Sequence, residues 1–227
     1  MRLKTDFTVF EPLLIYAVLF FPSVFLFTEN SSLILTSVSS MTLYLITAIP
    51  QIIFIIWIFN TKNYSSTEAG LIKIKSSVIP LAIFYTAALL LFSAAFISLY
   101  SRFFYPDSAI SSVTAADEAA AAVRDNITLL PMYLAVSAVT GYREELFFRS
   151  YLLNSLKNNG RYFIPVILSS LMFSACHAYQ GTAGIFLSFS GGIFLSMIFL
   201  KHRNIHINAL SHTFFNFFVI LSYVFSF

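Results

Sequence analysis

Residues Gly141 to Ser150 read Gly-Tyr-Arg-Glu-Glu-Leu-Phe-Phe-Arg-Ser, and they set two carboxylates and two guanidiniums inside an otherwise apolar run from Ile127 to Leu156. Ionisable groups are expensive in hydrocarbon, so such a cluster marks a functional site. Helical spacing sorts its members. Glu145 and Arg149 are i and i+4 and share a face, in the order that suits the helix dipole. Glu144 points about 100° away, because about 3.6 residues make one turn. It has no Arg or Lys at i+3 or i+4. The pattern therefore expects one carboxylate with a local partner and one without, the second being the better candidate for proton transfer.

Two more polar groupings interrupt apolar runs. One is Phe173-Ser174-Ala175-Cys176-His177; the other is His212-Thr213-Phe214-Phe215-Asn216. His212 and Asn216 are i and i+4, so one helix face aims both at the same point. At about 1.5 Å rise per residue, Glu144 lies roughly 20 Å, His177 roughly 24 Å and His212 roughly 12 Å from the basic ends of their helices. Within an error of one turn, these depths allow one mid-membrane cavity. A single histidine near a helix end is ordinarily a satisfied interfacial residue, and that is the reading for His202 and His206 beside Lys201 and Arg203. The same reading is weaker for Glu144, His177, His212 and Asn216 together. Four polar groups on three apolar segments must share partners or be left unsatisfied. Cys176 diverges from His177 by about 100° on a helix, which suits a small buried thiol rather than a nucleophile. Gly191-Gly192 suits close helix packing.

The elements that position these groups follow from composition. Of 227 residues, 58% are hydrophobic and only 10% charged, against about 25% charged in soluble domains. The chain therefore reads as an all-α, polytopic integral membrane bundle. Apolar runs long enough to cross a bilayer occur at Phe7–Phe27, Leu33–Phe59, Val78–Phe104, Ile127–Leu156, Tyr162–Tyr179, Gly184–Leu200 and Ile205–Phe227. These are about seven spans in a single domain, three N-terminal spans (1–104) preceding a motif-bearing core (127–227). The first run follows Met1-Arg2-Leu3-Lys4 and ends at Thr28-Glu29-Asn30 without a small-x-small cleavage site, so it reads as an uncleaved span.

With the N-terminus in the cytoplasm, Arg2, Lys4, Lys62, Lys73, Lys75, Lys157, Arg161, Lys201 and Arg203 all lie inside, and only Arg102 and Arg124 lie outside. That asymmetry obeys the positive-inside rule. It also accounts for the net charge of +3 without a nucleic-acid partner. The outer loop Tyr105–Asn126 contains an alanine-rich stretch from Asp117 to Arg124 that favours a short helix and reads as a solvated connector. Asn126-Ile127-Thr128 matches a glycosylation sequon, but at a span edge a chance match is the better reading. One cysteine excludes an intramolecular disulfide.

Glu-Glu-x-x-Phe-Arg at Glu144–Arg149, Phe-x-x-x-His at Phe173–His177 and His-x-x-x-Asn at His212–Asn216 resemble, in order and spacing, the three motifs of the CPBP family. These are the CAAX-processing and bacteriocin-processing (Abi) intramembrane proteases. The resemblance runs from Pro131 to Phe227, and Ser150 departs from the glycine that members often carry after the arginine. It implies a glutamate-type membrane endopeptidase without a cofactor, acting on a prenylated protein or membrane-associated peptide in a prokaryotic inner membrane. Glu144 and His177 would activate water, while His212 and Asn216 would donate to the oxyanion, at roughly 3 kcal/mol per donor. Glu145, Arg149 and Phe173 would support them.

Two other readings remain open. Glu144, His177 and His212 are legitimate zinc ligands, which would make the chain a metalloprotease, although it has no His-Glu-x-x-His helix. A non-catalytic immunity or binding protein would be expected to lack one of these residues, and none is missing. A proton-coupled transporter fits less well, since the polar groups cluster and do not form a path.

Overall fold

The computed structural model describes residues 10–26, 37–104, 123–157 and 159–225, and the side chains of 21–26 and 223–225 fall outside that description. The basic N-terminal tetrapeptide, Thr28–Asn30, nearly all of the outer loop with its alanine-rich stretch, and Phe227 lie outside the described residues.

The described elements are helical. They are α1 (Phe10–Leu26), α2 (Val38–Thr61), the one-turn α3 (Ser66–Ala69), α4 (Val78–Phe104), α5 (Leu130–Glu145), a π-helical segment (Leu146–Leu152), α6 (Leu153–Leu156), α7 (Phe163–Ala175), α8 (Gly181–His202) and α9 (Ile205–Phe225). α2, α4, α8 and α9 are long and apolar enough to cross a membrane, by length and composition. α1 and α7 are apolar but shorter. The unbroken helix from Leu130 to Leu156 is long enough, yet it carries the four charges of the cluster.

Burial follows the helical repeat but with an apolar exterior. On α2, Met41, Ala48, Ile55, Ile58 and Phe59 form the inward stripe, while Leu43, Ile46, Ile53 and Trp57 on the other faces are exposed. On α4 the inward stripe is Val78, Ala82, Tyr85, Thr86, Leu89 and Ser93, with Ile79, Ile83 and Leu91 exposed. An exterior of large apolar side chains is unsuited to water, and lipid is the solvent it matches. Polar members of these stripes, such as Thr86 and Ser93, are buried, and Thr86 Oγ1 donates to Ser211 O of α9 at 3.1 Å.

α5 is the centre of the packing. It begins at a 3-10 turn, Ile127–Leu129, with Pro131 in its first turn, where a missing N–H is harmless. It packs along α9 and α2, while α9 also contacts α4, and α7 pairs with α8. Gly141 sets the closest approach. A Cβ there would lie 2.7 Å from Thr213 Oγ1 and 2.8 Å from the Ala209 carbonyl oxygen of α9. Small residues allow helix backbones to meet in this way. Gly192 does the same for α8 against α7, its Cβ position being 3.0 Å from Ser170 Cβ. Gly191 faces open space, so only one glycine of that pair serves packing.

After Glu145 the helix widens into the π segment, all seven residues of which are buried. π turns inside α-helices recur at functional sites, and no proline or glycine in the segment announces this one. Its far end is tied to α3. Ser65 and Glu68 cap that single turn reciprocally, with Ser65 Oγ accepting from Glu68 N at 3.1 Å and Glu68 Oε2 accepting from Ser65 N at 3.0 Å. The capping bonds from Ser65, the backbone N–H first, hold the Glu68 carboxyl below the usual carboxylate range. Gly70 closes the turn at φ +70°, a conformation other residues adopt only under strain. Its carbonyl accepts from Ile205 N at 2.9 Å at the start of α9. Ser150 Oγ donates to Ala69 O at 2.6 Å, and Asn154 Nδ2 donates to Glu68 O at 2.7 Å. The departure at position 150 thus supplies an anchor.

Candidate active site

Glu144 and Glu145 end α5, where Gly141, one turn earlier, has brought α9 close. Both are buried, with 6% and 0% exposure. Glu145 lies within reach of three neighbours. Its Oε1 lies 3.1 Å from Arg149 Nη1 and accepts from His212 Nδ1 at 2.9 Å, and its Oε2 accepts from Asn208 Nδ2 at 3.3 Å. The i,i+4 pair read from spacing is present, with two further partners on α9 that spacing on one helix does not reveal.

Arg149 is fully buried. Although its distance to Glu145 is that of an ion pair, none of its nitrogens is aligned for a hydrogen bond. Its guanidinium lies over the Phe173 ring, 4.3 Å from the centroid, a contact that stabilises a desolvated cation by about 2 kcal/mol. Phe173 is a plate shared by the site. Its ring also sits 4.5 Å from that of His177 and 5.9 Å from that of His212.

Glu144 is not unpaired, as its i+3 and i+4 neighbours had suggested. Arg143 Nη2 donates to its Oε1 at 3.2 Å. Adjacent helix positions diverge at the backbone, but long side chains can curl towards each other, a contact that a helical wheel does not register. Glu144 Oε2 makes no hydrogen bond and lies 3.8 Å from His212 Nε2. His212 therefore stands between the two carboxylates, Nδ1 towards Glu145 and Nε2 towards Glu144.

His177 lies in the turn that ends α7. Its Nδ1 is 2.8 Å from the Phe173 carbonyl oxygen. A carbonyl only accepts, so Nδ1 carries the proton, and Nε2 of the neutral ring is left to accept. His177 interacts electrostatically with both Glu144 and His212. Asn216 lies one turn beyond His212, half-buried, with no side-chain hydrogen bond among the described residues. The structure thus brings Glu144, Glu145, Arg149, Phe173, His177 and His212 together and leaves Asn216 beside them, uncommitted.

Sequence reasoning left three participants without a role. Asn208 was detectable, being i−4 from His212 and so on its face. Gly141 was detectable as i−4 from Glu145. Arg143 stood in the charged cluster, but nothing on its own helix assigned it a task. Outside the site, Cys176 is buried and donates to Tyr16 Oη at 3.3 Å. His202 and His206 each meet a tyrosine, at 2.8 Å from Tyr85 Oη and 3.1 Å from Tyr142 Oη. Among the described residues, no three His, Cys, Asp or Glu side chains are grouped to hold a metal ion.

A helical bundle with an apolar exterior and a buried carboxylate–imidazole centre is an integral membrane protein. Residues 126–218, less than half of the chain, match the protein-family model described as Type II CAAX prenyl endopeptidase Rce1-like. The matched segment contains all three motifs, Glu144–Arg149, Phe173–His177 and His212–Asn216, and the resemblance to the CPBP proteases now rests on it as well. The match supports an intramembrane protease of the CAAX type. Comparison with curated proteins and with solved structures finds no match.

Proposed function

We propose that this protein is a glutamate-type intramembrane endopeptidase that cleaves a prenylated protein or a membrane-associated peptide with Glu144 as base. The observation that carries the reading is the state of Glu144: Oε1 is held by Arg143, while Oε2 is buried without a hydrogen bond beside His212 and within electrostatic reach of His177. A water between Glu144 Oε2 and His177 Nε2 gives its proton to the carboxylate, and the resulting hydroxide attacks the scissile carbonyl. Glu144 then passes that proton to the leaving nitrogen as the C–N bond breaks. The developing oxyanion takes hydrogen bonds from His212 Nε2 and Asn216 Nδ2. For His212 Nε2 to donate there while Nδ1–H is held by Glu145, both ring nitrogens must carry a proton in that step. Glu145 thereby acts through His212 as well as on Arg149. The basic loops are taken as cytoplasmic, so substrate reaches the site from that side.

Cleavage of a panel of prenylated and unprenylated peptides by purified protein, alongside Glu144→Gln, tests the proposal. Cleavage by the parent protein, lost in the variant and unaffected by exhaustive chelation, is expected. Cleavage retained by Glu144→Gln would dismiss Glu144 as the base. Activity lost with one zinc per chain and restored by added zinc would replace the mechanism with a metal-dependent one.

A further inference from the structure

Arg143 is an unusual residue to find in this place. It is 7% exposed in an apolar bundle, next to the carboxylate on which the chemistry would depend. Such a cation needs a binding site of its own, and α1 and α2 build one. Gln51 Oε1 accepts from Nη1 at 3.3 Å. The Phe20 ring lies 5.0 Å and the Tyr44 ring 5.5 Å from the guanidinium carbon. Tyr44 is itself fixed, its hydroxyl 2.5 Å from Thr140 Oγ1 on α5. Phe20 is 1% exposed and packs against Phe147 and Phe148, with ring centroids 5.0 and 4.9 Å apart. Every residue that seats the guanidinium lies outside the segment 126–218, whereas the guanidinium and its carboxylate lie inside it.

We infer that Arg143 is a positioning residue for Glu144, seated by Phe20, Tyr44 and Gln51, so that the two N-terminal helices complete the active site. The inference rests on the reading of Glu144 as the base. With Oε1 committed to Nη2, the carboxylate cannot rotate freely about its last bond. Oε2 alone then faces His212 and His177. Without that hold, either oxygen could turn towards His212 and His177, and the reactive atom would lose its fixed place.

Two measurements test this. The first is kinetic. Gln51→Leu removes a hydrogen bond to a charged group and touches no reacting atom, and should lower kcat about ten-fold. Arg143→Gln should lower kcat by about 10²-fold, the cost of a misplaced catalytic group. KM should change little in either, and Arg143→Lys, which keeps a cation, should recover most of the loss. Equal activity of Arg143→Lys and Arg143→Gln, or losses confined to KM, would overturn the inference. The second is a double-mutant cycle of Arg143→Gln and Glu144→Gln in the thermal midpoint of detergent-solubilised protein, which needs no cleavage assay. Each single change strands a buried charge, so the double variant should melt above Arg143→Gln. Additive midpoints would show that the two side chains are not coupled and would refute the inference whatever the protein cleaves. A parent protein that cleaves nothing while the cycle shows coupling would instead refute the protease reading and leave Arg143 a structural partner of Glu144.

Discussion

Gly141→Ala adds one methyl group where α5 meets α9, and the structure says what it meets. The new Cβ would lie 2.7 Å from Thr213 Oγ1, 2.8 Å from Ala209 O and 3.1 Å from Thr213 N. Two of these are backbone atoms, which no rotamer change can move. To reach an ordinary 3.4 Å contact with the carbonyl, α5 and α9 must separate by about 0.6 Å. His212 lies between Ala209 and Thr213 on α9, so an opening in that direction stretches its 2.9 Å hydrogen bond to Glu145 to about 3.5 Å, the limit of a useful bond. Overpacking costs about 1–3 kcal/mol, and replacing a helical glycine returns about 0.5–1 kcal/mol. The net loss, about 1–2 kcal/mol, corresponds to a midpoint lowered by roughly 2–8 °C for a chain of this size. Activity should suffer more, by about ten-fold, given that a 1 Å displacement costs about 10²-fold. The assay is kcat on a cleaved peptide beside a thermal melt in detergent. Gly191→Ala, whose Cβ would meet nothing within 4 Å, is the control and should keep parental activity and melt no lower than the parent. A Gly141→Ala protein with parental activity and melting would refute the close approach of the two helices, and with it the placement of His212.

Three further outcomes are expected. Glu145→Gln should destabilise by about 3–5 kcal/mol, because it leaves Arg149 buried without its counter-ion, whereas Glu144→Gln should abolish cleavage with a smaller change in melting, because the Arg143 it strands keeps Gln51 and the Phe20 and Tyr44 rings; identical melts would contradict the division between the two glutamates. Ser150→Ala should cost about 1–3 kcal/mol by orphaning the Ala69 carbonyl, read as a lower melting temperature, and Ser150→Thr gives a check on whether the hydroxyl alone matters. Glu68 is the pH-sensitive part of the α3 anchor. Its folded value is depressed, so its contribution is fully present above its unfolded value and fades as pH falls through the folded one. Faster amide exchange at Glu68 and Ala69 on acidification, absent in Glu68→Gln, is the expected sign.

Part of the site was legible because helical spacing is a short-range rule. The Glu145–Arg149 pair follows from i,i+4 alone, and the all-α membrane character follows from apolar runs interrupted at few points. The polar interruptions were informative because hydrocarbon punishes them. What spacing could not supply was any relation between helices. That His212 bridges both glutamates, and that Arg143 is seated by α1 and α2, depends on which faces meet, and the single-residue clue was Gly141. The π segment was illegible for another reason. Leu146–Leu152 has ordinary helix formers and aromatics, with nothing local that demands a wider turn. The one-turn α3 was hidden in a loop, although its Ser65–Glu68 capping pair is a recognisable signature. The expected seven spans exceed the four helices that satisfy length and composition among the described residues, since short α1 and α7 and the charged 130–156 helix fall short on one count each.

The π segment also constrains how the chain can change length. It lies between two sets of fixed points: Glu144 and Glu145 before it, and Ser150 and Asn154, which bond the carbonyls of Ala69 and Glu68. Each residue added to or removed from a regular helix rotates all residues beyond that point by about 100°. A single deletion within 146–149 could be absorbed as the π turn tightens into an ordinary α turn, with Ser150 and Asn154 still facing α3. An insertion finds no such slack and would swing both side chains about 100° away from α3. The segment can therefore lose a residue more readily than it can gain one, an asymmetry set by the extra residue that its wider turn already holds.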